Sequence, residues 1–400
     1  MDRPRVLIAM HYLEIGGAET ALTGLLNAID LRRCKVDLFL YSHRGELMAS
    51  IPEQVNLLPQ VPAYAQIEAP LKQVLRAGWL RIAAARLKAR LQARRYARLH
   101  PLKESAASLQ LVANAVTPLL PPVNPDVEYD LAVSFLTPHN IVRDKIRAKK
   151  KACWIHTDYS AVDVNAALEL PVWAAFDTIV SVSDDVTAAF AKTFPSLESR
   201  IVKIENILSP ALVRQKAEEF DAAPELSSGK GIALLSVGRF SYPKNFDNVP
   251  DICRRVVESG ITDVRWYIIG YGPDEQLIRK KIIESGMQGH VILLGKRSNP
   301  YPYIKACDIY VQPSRYEGKS VTVREAQILC KPAVVADYPT VHSQVIDGRD
   351  GVIAPQDNRG FAGCITSLIN DAARQRSLAE YLGEHDYGNE SEAEKFYKLI

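Results

Sequence analysis

The stretch Ile309-Tyr-Val-Gln-Pro-Ser-Arg-Tyr-Glu-Gly-Lys-Ser-Val-Thr-Val-Arg-Glu325 decides the fold of this chain. Its first four residues form an apolar run typical of a buried parallel strand, and a helix is predicted to begin near Ser320. The loop between them follows the carboxyl end of the strand, which is where α/β folds bind ligands. The stretch therefore predicts an α/β domain with a binding site in this loop.

The same alternation of strand and helix runs outward from this stretch in both directions. The strands expected in the second half are Ile232–Val237, Val264–Ile269, Val291–Leu294, Ile309–Gln312 and Ala333–Ala336. Those expected in the first half are Arg5–Met10, Lys35–Tyr41, Tyr129–Leu136, Lys151–His156, Thr178–Val182 and Ile201–Glu205. Strands separated by helices predict parallel pairing, so we expect two Rossmann-like, doubly wound α/β domains.

The boundary between the two domains is predicted from a cluster of helix-breaking residues. Residues 209–231 contain Pro210, Pro224 and the run Ser227-Ser-Gly229, and we interpret them as a linker. This divides the chain into an amino-terminal domain at 1–208, a carboxyl-terminal domain at 232–385 and a helical tail at 386–400.

Composition indicates an ordinary soluble protein. The 400 residues are 47% hydrophobic and 24% charged, which suits two packed domains. The six cysteines are scattered without a CxxC pair, so neither a zinc cage nor a disulfide framework is predicted. The amino terminus lacks the features of a signal peptide, and no apolar run reaches the length of a transmembrane helix. We therefore expect a cytoplasmic protein.

One segment departs strongly from the average charge of +3. Between Glu68 and Glu104 lie ten Lys or Arg residues and no acid, so the rest of the chain is net negative. Leucine and alanine recur there at helical spacing, which predicts a basic amphipathic helix at about 71–103. Such a helix is either a solvated surface or a contact with an anionic membrane, and we favour the membrane over a nucleic acid.

Charged residues next to the predicted strand ends indicate a site for a phosphorylated ligand. Glu317 and Glu325 flank the start of a helix, whose free N–H groups and dipole favour an anion. Arg239 and Lys244 follow another strand, where they could bind a diphosphate or form a structural ion pair. Carboxylates on either side could accept hydrogen bonds from sugar hydroxyls.

Two other nucleotide sites are excluded by spacing. Gly318-Lys319-Ser320 is similar to the end of a phosphate-binding P-loop, but position 313, where that loop needs glycine, is a proline. Gly270-Tyr-Gly272 is similar to a dinucleotide fingerprint, but Glu275 occupies the third glycine position. Neither an ATPase nor a nicotinamide-dependent enzyme is therefore predicted.

The motifs together resemble those of the retaining glycosyltransferases of family 4, which have the GT-B fold. The resemblance rests on two glutamates separated by seven residues, on Ser236-Val-Gly-Arg-Phe-Ser-Tyr-Pro-Lys-Asn245 and on Ile268-Ile-Gly-Tyr-Gly-Pro273. In the first half, Gly16-Gly17-Ala18-Glu19, Trp154-Ile-His156, Ser181-Val-Ser183 and Ile204-Glu-Asn206 are similar to the family's glycine-rich turn and middle section. The resemblance extends over nearly the whole chain.

The resemblance implies a role for each matching residue. It assigns catalysis to Arg239, Lys244, Glu317 and His156. It assigns donor binding to Gly16, Gly17, Gly238, Lys296, Arg297, Gly318, Lys319, Ser320, Val321 and Glu325. It also implies that the helical tail crosses back to the first domain. Lys319 and Ser320 depart from the family, where bulky apolar residues are common at these positions.

The implied activity is transfer of a sugar from a nucleotide diphosphate to an acceptor, with retention and without a metal or other cofactor. The base is uridine in preference to guanosine. The acceptor is a glycan or a lipid-linked molecule of the cell envelope, which would place the enzyme on the inner face of the plasma membrane. A nucleotide-sugar epimerase or hydrolase of the same fold, and a non-catalytic nucleotide-sugar-binding protein, remain alternatives.

Overall fold

The chain folds as two units, each built around one parallel sheet. The computed structural model describes residues 3–99, 107–157, 159, 164–226, 231–317 and 319–400. Unit 1 comprises Met1–Ile207 together with Glu390–Ile400, and unit 2 comprises Leu208–Asn389. Gly318 and the end of the basic segment, from residue 100 to 103, lie outside the described residues.

Unit 1 contains a seven-stranded sheet in which every pairing is parallel. Its strands are β1 (Arg5–Met10), β2 (Lys35–Leu40), β3 (Asn56–Leu57), β4 (Tyr129–Ser134), β5 (Ala148–Ile155), β6 (Thr178–Ser181) and β7 (Ile201–Lys203). Their order across the sheet is β3-β2-β1-β4-β5-β6-β7. The side chains of β1 alternate between two apolar clusters, one containing Val6 and Ile8 and the other Leu7 and Ala9. Both faces of the sheet are therefore covered, as a parallel sheet requires.

The helices of unit 1 follow its strands. They are α1 (Gly17–Ala28), α2 (Pro62–Ala65), α3 (Leu71–Arg76), α4 (Leu80–Leu99), α5 (Ala107–Val116), α6 (Asn140–Lys145), α7 (Ala166–Trp173) and α8 (Asp184–Thr193). The basic segment, expected as one helix, is divided into α3 and α4. Gly78 adopts a left-handed conformation with φ of 81° between them, which ends the first helix.

Unit 2 contains a six-stranded sheet that is also parallel throughout. Its strands are β8 (Ile232–Val237), β9 (Val264–Ile269), β10 (Val291–Gly295), β11 (Ile309–Gln312), β12 (Ala333–Ala336) and β13 (Val352–Ala354). Their order is β10-β9-β8-β11-β12-β13. The order reverses between β8 and β11, which are adjacent in the sheet. Such a switch point is where doubly wound sheets bind their ligands.

The helices of unit 2 begin ahead of its first strand. They are α9 (Pro210–Ala217), α10 (Ala223–Leu226), α11 (Val249–Glu258), α12 (Glu275–Glu284), α13 (Tyr301–Ala306), α14 (Val321–Ile328), α15 (Asn358–Ile369) and α16 (Ala372–Glu384). The expectation of a linker at 209–231 is wrong for the described residues 209–226. Val213, Ala217 and Leu226 are buried in the core of unit 2, so this region belongs to that unit.

The end of the chain returns to unit 1. The last helix, α17 (Ala393–Tyr397), buries Phe396 in the same apolar cluster as Val6 and Ile8. The Tyr397 hydroxyl contacts the backbone N–H of Asp30 at 2.5 Å, which holds the tail beside α1. Among the helices of the described residues, none combines the length and the apolar character that crossing a membrane would need.

Candidate functional site

An ion pair between Lys244 and Glu317 lies at the switch point of the unit 2 sheet. Lys244 ends a short 3₁₀ turn after β8, and Glu317 lies in the loop after β11. The Nζ atom of Lys244 donates to Oε1 of Glu317 at 2.6 Å, and both side chains are mostly buried. Ser314 Oγ and Gln312 Nε2 donate to the same carboxylate oxygen at 2.7 and 3.1 Å. The pair is therefore held in place before any ligand binds.

Two further contacts fix the loops that carry this pair. Asn245 turns the chain in a left-handed conformation, and its side chain donates to the carbonyl oxygen of Pro313 at 2.9 Å. Arg315 forms a bidentate ion pair with Asp247, with N–O distances of 2.9 and 2.8 Å. Both contacts join the loop after β8 to the loop after β11, so the positions of Lys244 and Glu317 depend on each other.

Arg239 differs from Lys244 in having no such partner. It is exposed, and its guanidinium makes no hydrogen bond or ion pair with the residues that the structure describes. The backbone beside it is held by Gly270 and Gly272, because a Cβ atom on these glycines would lie 1.9 Å from the Gly238 oxygen and 2.4 Å from the Phe240 oxygen. These glycines therefore serve close packing of the Arg239 loop, and Arg239 is left free to bind an anion.

Glu325 lies in the second turn of α14 and is almost fully buried, with 3% of its surface exposed. Its Oε1 atom accepts a hydrogen bond from the Tyr301 hydroxyl at 2.9 Å. Burial raises the pKa of Glu325 from 4.5 to about 7 because water no longer solvates the charge, and the hydrogen bond from Tyr301 opposes this only in part. A buried carboxyl group with a pKa near 7 is a common feature of functional sites.

The start of α14 differs from the sequence-based expectation. The N–H of Ser320 donates to Oε1 of Gln344 at 3.0 Å, and the Gln344 amide donates back to the Ser320 oxygen at 2.6 Å. The amide of Ser320 is thus occupied and does not point at a ligand. The amides of Val321 and Thr322 follow in the first turn, where helix N–H groups lack intrahelical partners. Lys319 is half-buried beside them.

Lys296 and Arg297 make contacts within unit 2. Nε of Arg297 donates to the Tyr303 hydroxyl at 2.9 Å, and Nη2 donates to Glu225 at 2.6 Å. Lys296 lies 5.0 Å from the centre of the Tyr271 ring. The contacts of Arg297 join the loop after β10 to α10 and α13, which gives it a structural role. The expectation that Arg297 binds the donor is therefore not supported by its position.

In unit 1, the glycine-rich turn lies at the start of α1. Gly16 is the N-cap residue of the helix, and a Cβ atom there would lie 2.2 Å from Oε2 of Glu19. Gly17 is exposed, and a Cβ atom added to it would have no neighbour within 4 Å. The described part of the protein therefore gives no packing reason for glycine at position 17, and its role in binding the donor stays a prediction.

His156 follows β5 and is neutral in the folded protein. Burial lowers the pKa of His156 to about 4, and its ring packs against Phe135 with 4.8 Å between the ring centres. Its Nε2 atom is buried without a hydrogen-bond partner among the described residues. The side chain can therefore accept or donate one hydrogen bond to a ligand. Its role towards a donor sugar stays a prediction.

Two other histidines of unit 1, which the sequence analysis missed, also have a buried ring nitrogen without a partner among the described residues. His11 follows β1 and contacts Glu68 through Nδ1, and His139 follows β4 and contacts Ser134 Oγ at 2.8 Å. Each has a buried Nε2 atom with no partner in the described parts of the chain. Burial lowers the pKa of His139 to about 3. The available signal was that each follows a strand of the same sheet, as His156 does.

A separate cavity of about 780 Å³ lies in unit 1 and is lined by Arg3, Arg5, Asp37 and Asn56 among others. Arg5 and Lys35 begin β1 and β2, so this cavity is at the amino-terminal edge of the sheet. It contains none of the residues expected in the site. Parallel sheets bind ligands at the opposite edge, so we do not assign the function to it.

Comparison with known proteins shows which family and fold this chain is similar to. Residues 217–385 match the family model described as glycosyl transferases group 1. The chain is 24% identical over 195 residues to the amylovoran biosynthesis glycosyltransferase AmsD of Erwinia amylovora, covering 48% of this chain and 54% of that protein. It is 30% identical over 146 residues to a Campylobacter jejuni 4-alpha-N-acetylgalactosaminyltransferase acting on a diphospho-undecaprenol, covering 36% and 39%. The matched region thus spans about half or less of these relatives.

Solved structures extend the likeness to the whole chain. The fold matches Anabaena HepE in complex with UDP and glucose, with a TM-score of 0.67, 13% identity and 99% of each chain covered. It matches Staphylococcus aureus TarM, in a complex that contains UDP, with the same TM-score and coverage and 13% identity. The chain thus has the GT-B fold, and its residues 217–385 are similar to the glycosyl transferases group 1 family.

Proposed function

We propose that this protein is a retaining glycosyltransferase that takes its sugar from a UDP-sugar without a metal ion. The observation that carries the proposal is the Lys244–Glu317 pair at the switch point of unit 2, with Arg239 on the same loop as Lys244 and without a side-chain partner among the described residues. Cations fixed at the carboxyl ends of strands are suited to a diphosphate. The solved complexes of HepE and TarM that contain UDP support uridine as the base.

In the proposed reaction, Arg239 and Lys244 stabilise the leaving diphosphate. The bond between the anomeric carbon and the diphosphate oxygen breaks, and negative charge develops on that oxygen. The acceptor hydroxyl attacks from the same face, and its proton passes to a diphosphate oxygen. Arg239, Lys244 and the amides of Val321 and Thr322 oppose the developing charge, an effect that is worth several kcal/mol in a site shielded from water.

The two glutamates have different roles in this scheme. Glu317 holds Lys244 in position through their 2.6 Å contact, and its carboxylate keeps further lone pairs for sugar hydroxyls. Glu325 is more deeply buried than Glu317, and its carboxylate accepts hydrogen bonds from hydroxyl groups of the sugar donor when it is ionised. We therefore expect Glu317→Ala to lower both affinity and turnover, whereas Glu325→Ala mainly weakens donor binding.

The acceptor is proposed to be a glycan or a lipid-linked molecule used in assembly of the cell envelope. Supporting names among the relatives include an enzyme that acts on a diphospho-undecaprenol and a Staphylococcus aureus poly(ribitol-phosphate) N-acetylglucosaminyltransferase. The acceptors in both names carry phosphate. The basic helix of unit 1 agrees with an acceptor that lies in an anionic surface.

The test begins with the donor. We expect UDP-sugars to raise the unfolding temperature of the purified protein in a thermal-shift screen, because a ligand at 100 times its Kd stabilises by about 2.7 kcal/mol. With the best donor and an undecaprenyl-diphosphate-linked acceptor, UDP should be released and an α-linked product should form in the presence of EDTA. A product of inverted configuration, or loss of activity on chelation that is restored by a divalent cation, would contradict the mechanism.

The same assay separates the proposal from its alternatives. A transferase leaves the UDP-sugar largely unchanged when no acceptor is present. Free sugar formed without an acceptor indicates a hydrolase, and a second UDP-sugar indicates an epimerase. Donor binding without turnover over any acceptor indicates a binding protein.

A further inference from the structure

Helix α4 presents two different faces. One face packs on unit 1 through Ile82, Ala83 and Ala89, which are buried. Arg86 is buried on the same face, and its guanidinium donates to the carbonyl oxygens of Gln66 and Ala69 at 2.7 and 2.6 Å. The helix is therefore firmly attached along this face, and its orientation on unit 1 is fixed.

The opposite face exposes three leucines to solvent. Leu80, Leu87 and Leu91 are exposed by 64%, 51% and 53%, and their spacing of seven and four residues places them on one side of the helix. Ala83 is buried whereas these leucines are exposed, so the leucine and alanine repeat of the segment does not form one apolar face. Large apolar side chains aligned on a surface mark a contact with a partner.

Cations surround these leucines. The exposed basic residues of α4 are Arg81, Lys88, Arg90, Arg94, Arg95 and Arg98. None of the six forms an ion pair with a residue that the structure describes, and α3 and α4 contain no acid. We name this set, together with Leu80, Leu87 and Leu91, the leucine–arginine face. Its length is about 30 Å, at 1.5 Å per residue.

We propose that the leucine–arginine face lies on an anionic lipid surface. A lipid surface is the partner that offers both an apolar layer for the leucines and negative headgroups for the cations beside them. A second copy of the chain would bring two rows of like charge together, and a nucleic acid would leave the leucines without an apolar partner. Charge complementarity therefore favours the lipid.

The helix is also connected to the edge of the sheet where the candidate residues of unit 1 lie. The turn that receives Arg86 contains Glu68, whose carboxylate contacts Nδ1 of His11. His11 follows β1, and the chain continues from it into the Gly16–Gly17 turn. Where the proposed function holds, this connection presents a lipid-linked acceptor near that edge; binding to lipid does not itself depend on the proposed function.

The experiment is flotation of the full chain with vesicles of phosphatidylcholine alone and with added phosphatidylglycerol. Binding is expected only to the anionic vesicles, and it should weaken as salt rises. The variant R81Q/K88Q/R95Q should reduce binding about 100-fold, because each cation near the surface adds about 1 kcal/mol, which is about fivefold in affinity. The variant L80S/L87S/L91S should reduce it at least as much while the cations remain.

The matched control is L277S/I283S on α12, where Leu277 and Ile283 are exposed by 42% and 64% among acids as well as cations. It should bind anionic vesicles as the unchanged chain does. Thermal unfolding of each variant checks that the fold is kept, and transfer to a water-soluble acceptor should be unchanged in all three. No flotation of the unchanged chain at low salt, or equal loss in the control, would overturn the proposal; loss of transfer with binding intact would count against the proposed function alone.

Discussion

Glu325 should make the stability of unit 2 fall as pH rises, and replacing it by glutamine should remove this effect. The carboxyl binds its proton more tightly in the folded chain, where its pKa is about 7, than in the unfolded chain, where it is near 4.5. The folded chain therefore holds more protons between these values, and the free energy of unfolding decreases as pH rises through that window.

The size of the effect follows from the same values. A tenfold change in proton affinity is worth about 1.4 kcal/mol. Relative to a side chain that is never charged, Glu325 therefore lowers the free energy of unfolding by about 3 kcal/mol at pH 8 and by about 1 kcal/mol at pH 5. Glu325→Gln keeps the shape of the side chain and an oxygen for the Tyr301 hydroxyl, but it never carries the charge. We expect it to raise the unfolding midpoint of unit 2 by about 6–12 °C at pH 8, and by much less at pH 5.

Calorimetry is the suitable assay, because the two units can unfold in separate transitions. The exposed Glu284 on α12 provides a matched control, and Glu284→Gln should leave both transitions nearly unchanged. A gain from Glu325→Gln that is equal at pH 5 and pH 8, or a loss of stability at pH 8, would refute the reasoning.

Donor binding gives a second readout of the same group. Where donor hydroxyls donate to Glu325, they favour its ionised form, so affinity for a UDP-sugar should rise about tenfold between pH 6 and pH 8. The UDP-sugar is used instead of UDP because its phosphates stay ionised over this range. Glu325→Gln should bind more weakly and with little dependence on pH; an unchanged pH dependence in this variant would assign the effect to another group.

Three further predictions concern the two units separately. Arg239→Gln and Lys244→Met should each lower turnover about 100-fold. Only Lys244→Met should also lower the free energy of unfolding of unit 2, by about 1–3 kcal/mol, because Lys244 has the mostly buried partner Glu317. Equal losses of stability in the two variants would contradict these partners. Gly17→Ala should leave the unfolding midpoint unchanged or slightly raised, because an added Cβ atom has no neighbour within 4 Å. It should lower turnover if a ligand approaches this turn closely, and full activity would contradict that approach. Burial lowers the pKa of His139 to about 3 and that of His156 to about 4, below the value of about 6.5 in the unfolded chain. The free energy of unfolding of unit 1 should therefore be constant with respect to these groups above pH 6.5 and should fall as the pH drops below 6.5, by about 2 kcal/mol for each histidine at pH 5. Calorimetry at pH 7 and pH 5 should show that His139→Phe removes part of this loss.

The strands of the fold could be predicted from the sequence because buried parallel strands are short apolar runs with turns on either side. β8, β9 and β11 begin and end at the expected residues. Two short edge strands, β3 and β13, were not predicted from the sequence, whereas β7, which is as short as β13, was predicted because it lies within the run expected at Ile201–Glu205. Residues 209–226 were interpreted as part of a linker because of their proline and serine residues, whereas burial of their apolar side chains makes them part of unit 2.

In the candidate site, too, the sequence predicts some features and tertiary contacts decide the others. Glu317, Glu325, Arg239 and Lys244 could be named as candidates because each follows a predicted strand within a motif that resembles a known family, and their roles stay predictions. The partners that set their chemistry come from far along the chain, as with Tyr301 for Glu325 and Gln344 for Ser320. Sequence spacing carries no information about such contacts, so neither the raised pKa of Glu325 nor the occupied amide of Ser320 could be predicted.

A crystal structure of the chain with UDP bound tests the central claim most directly. The account predicts the diphosphate in unit 2, with the Arg239 guanidinium, Lys244 Nζ and the first amides of α14 within hydrogen-bond distance of its oxygens and Glu325 on the ribose side. UDP bound in another part of the chain, or a diphosphate that contacts neither Arg239 nor Lys244, would contradict it.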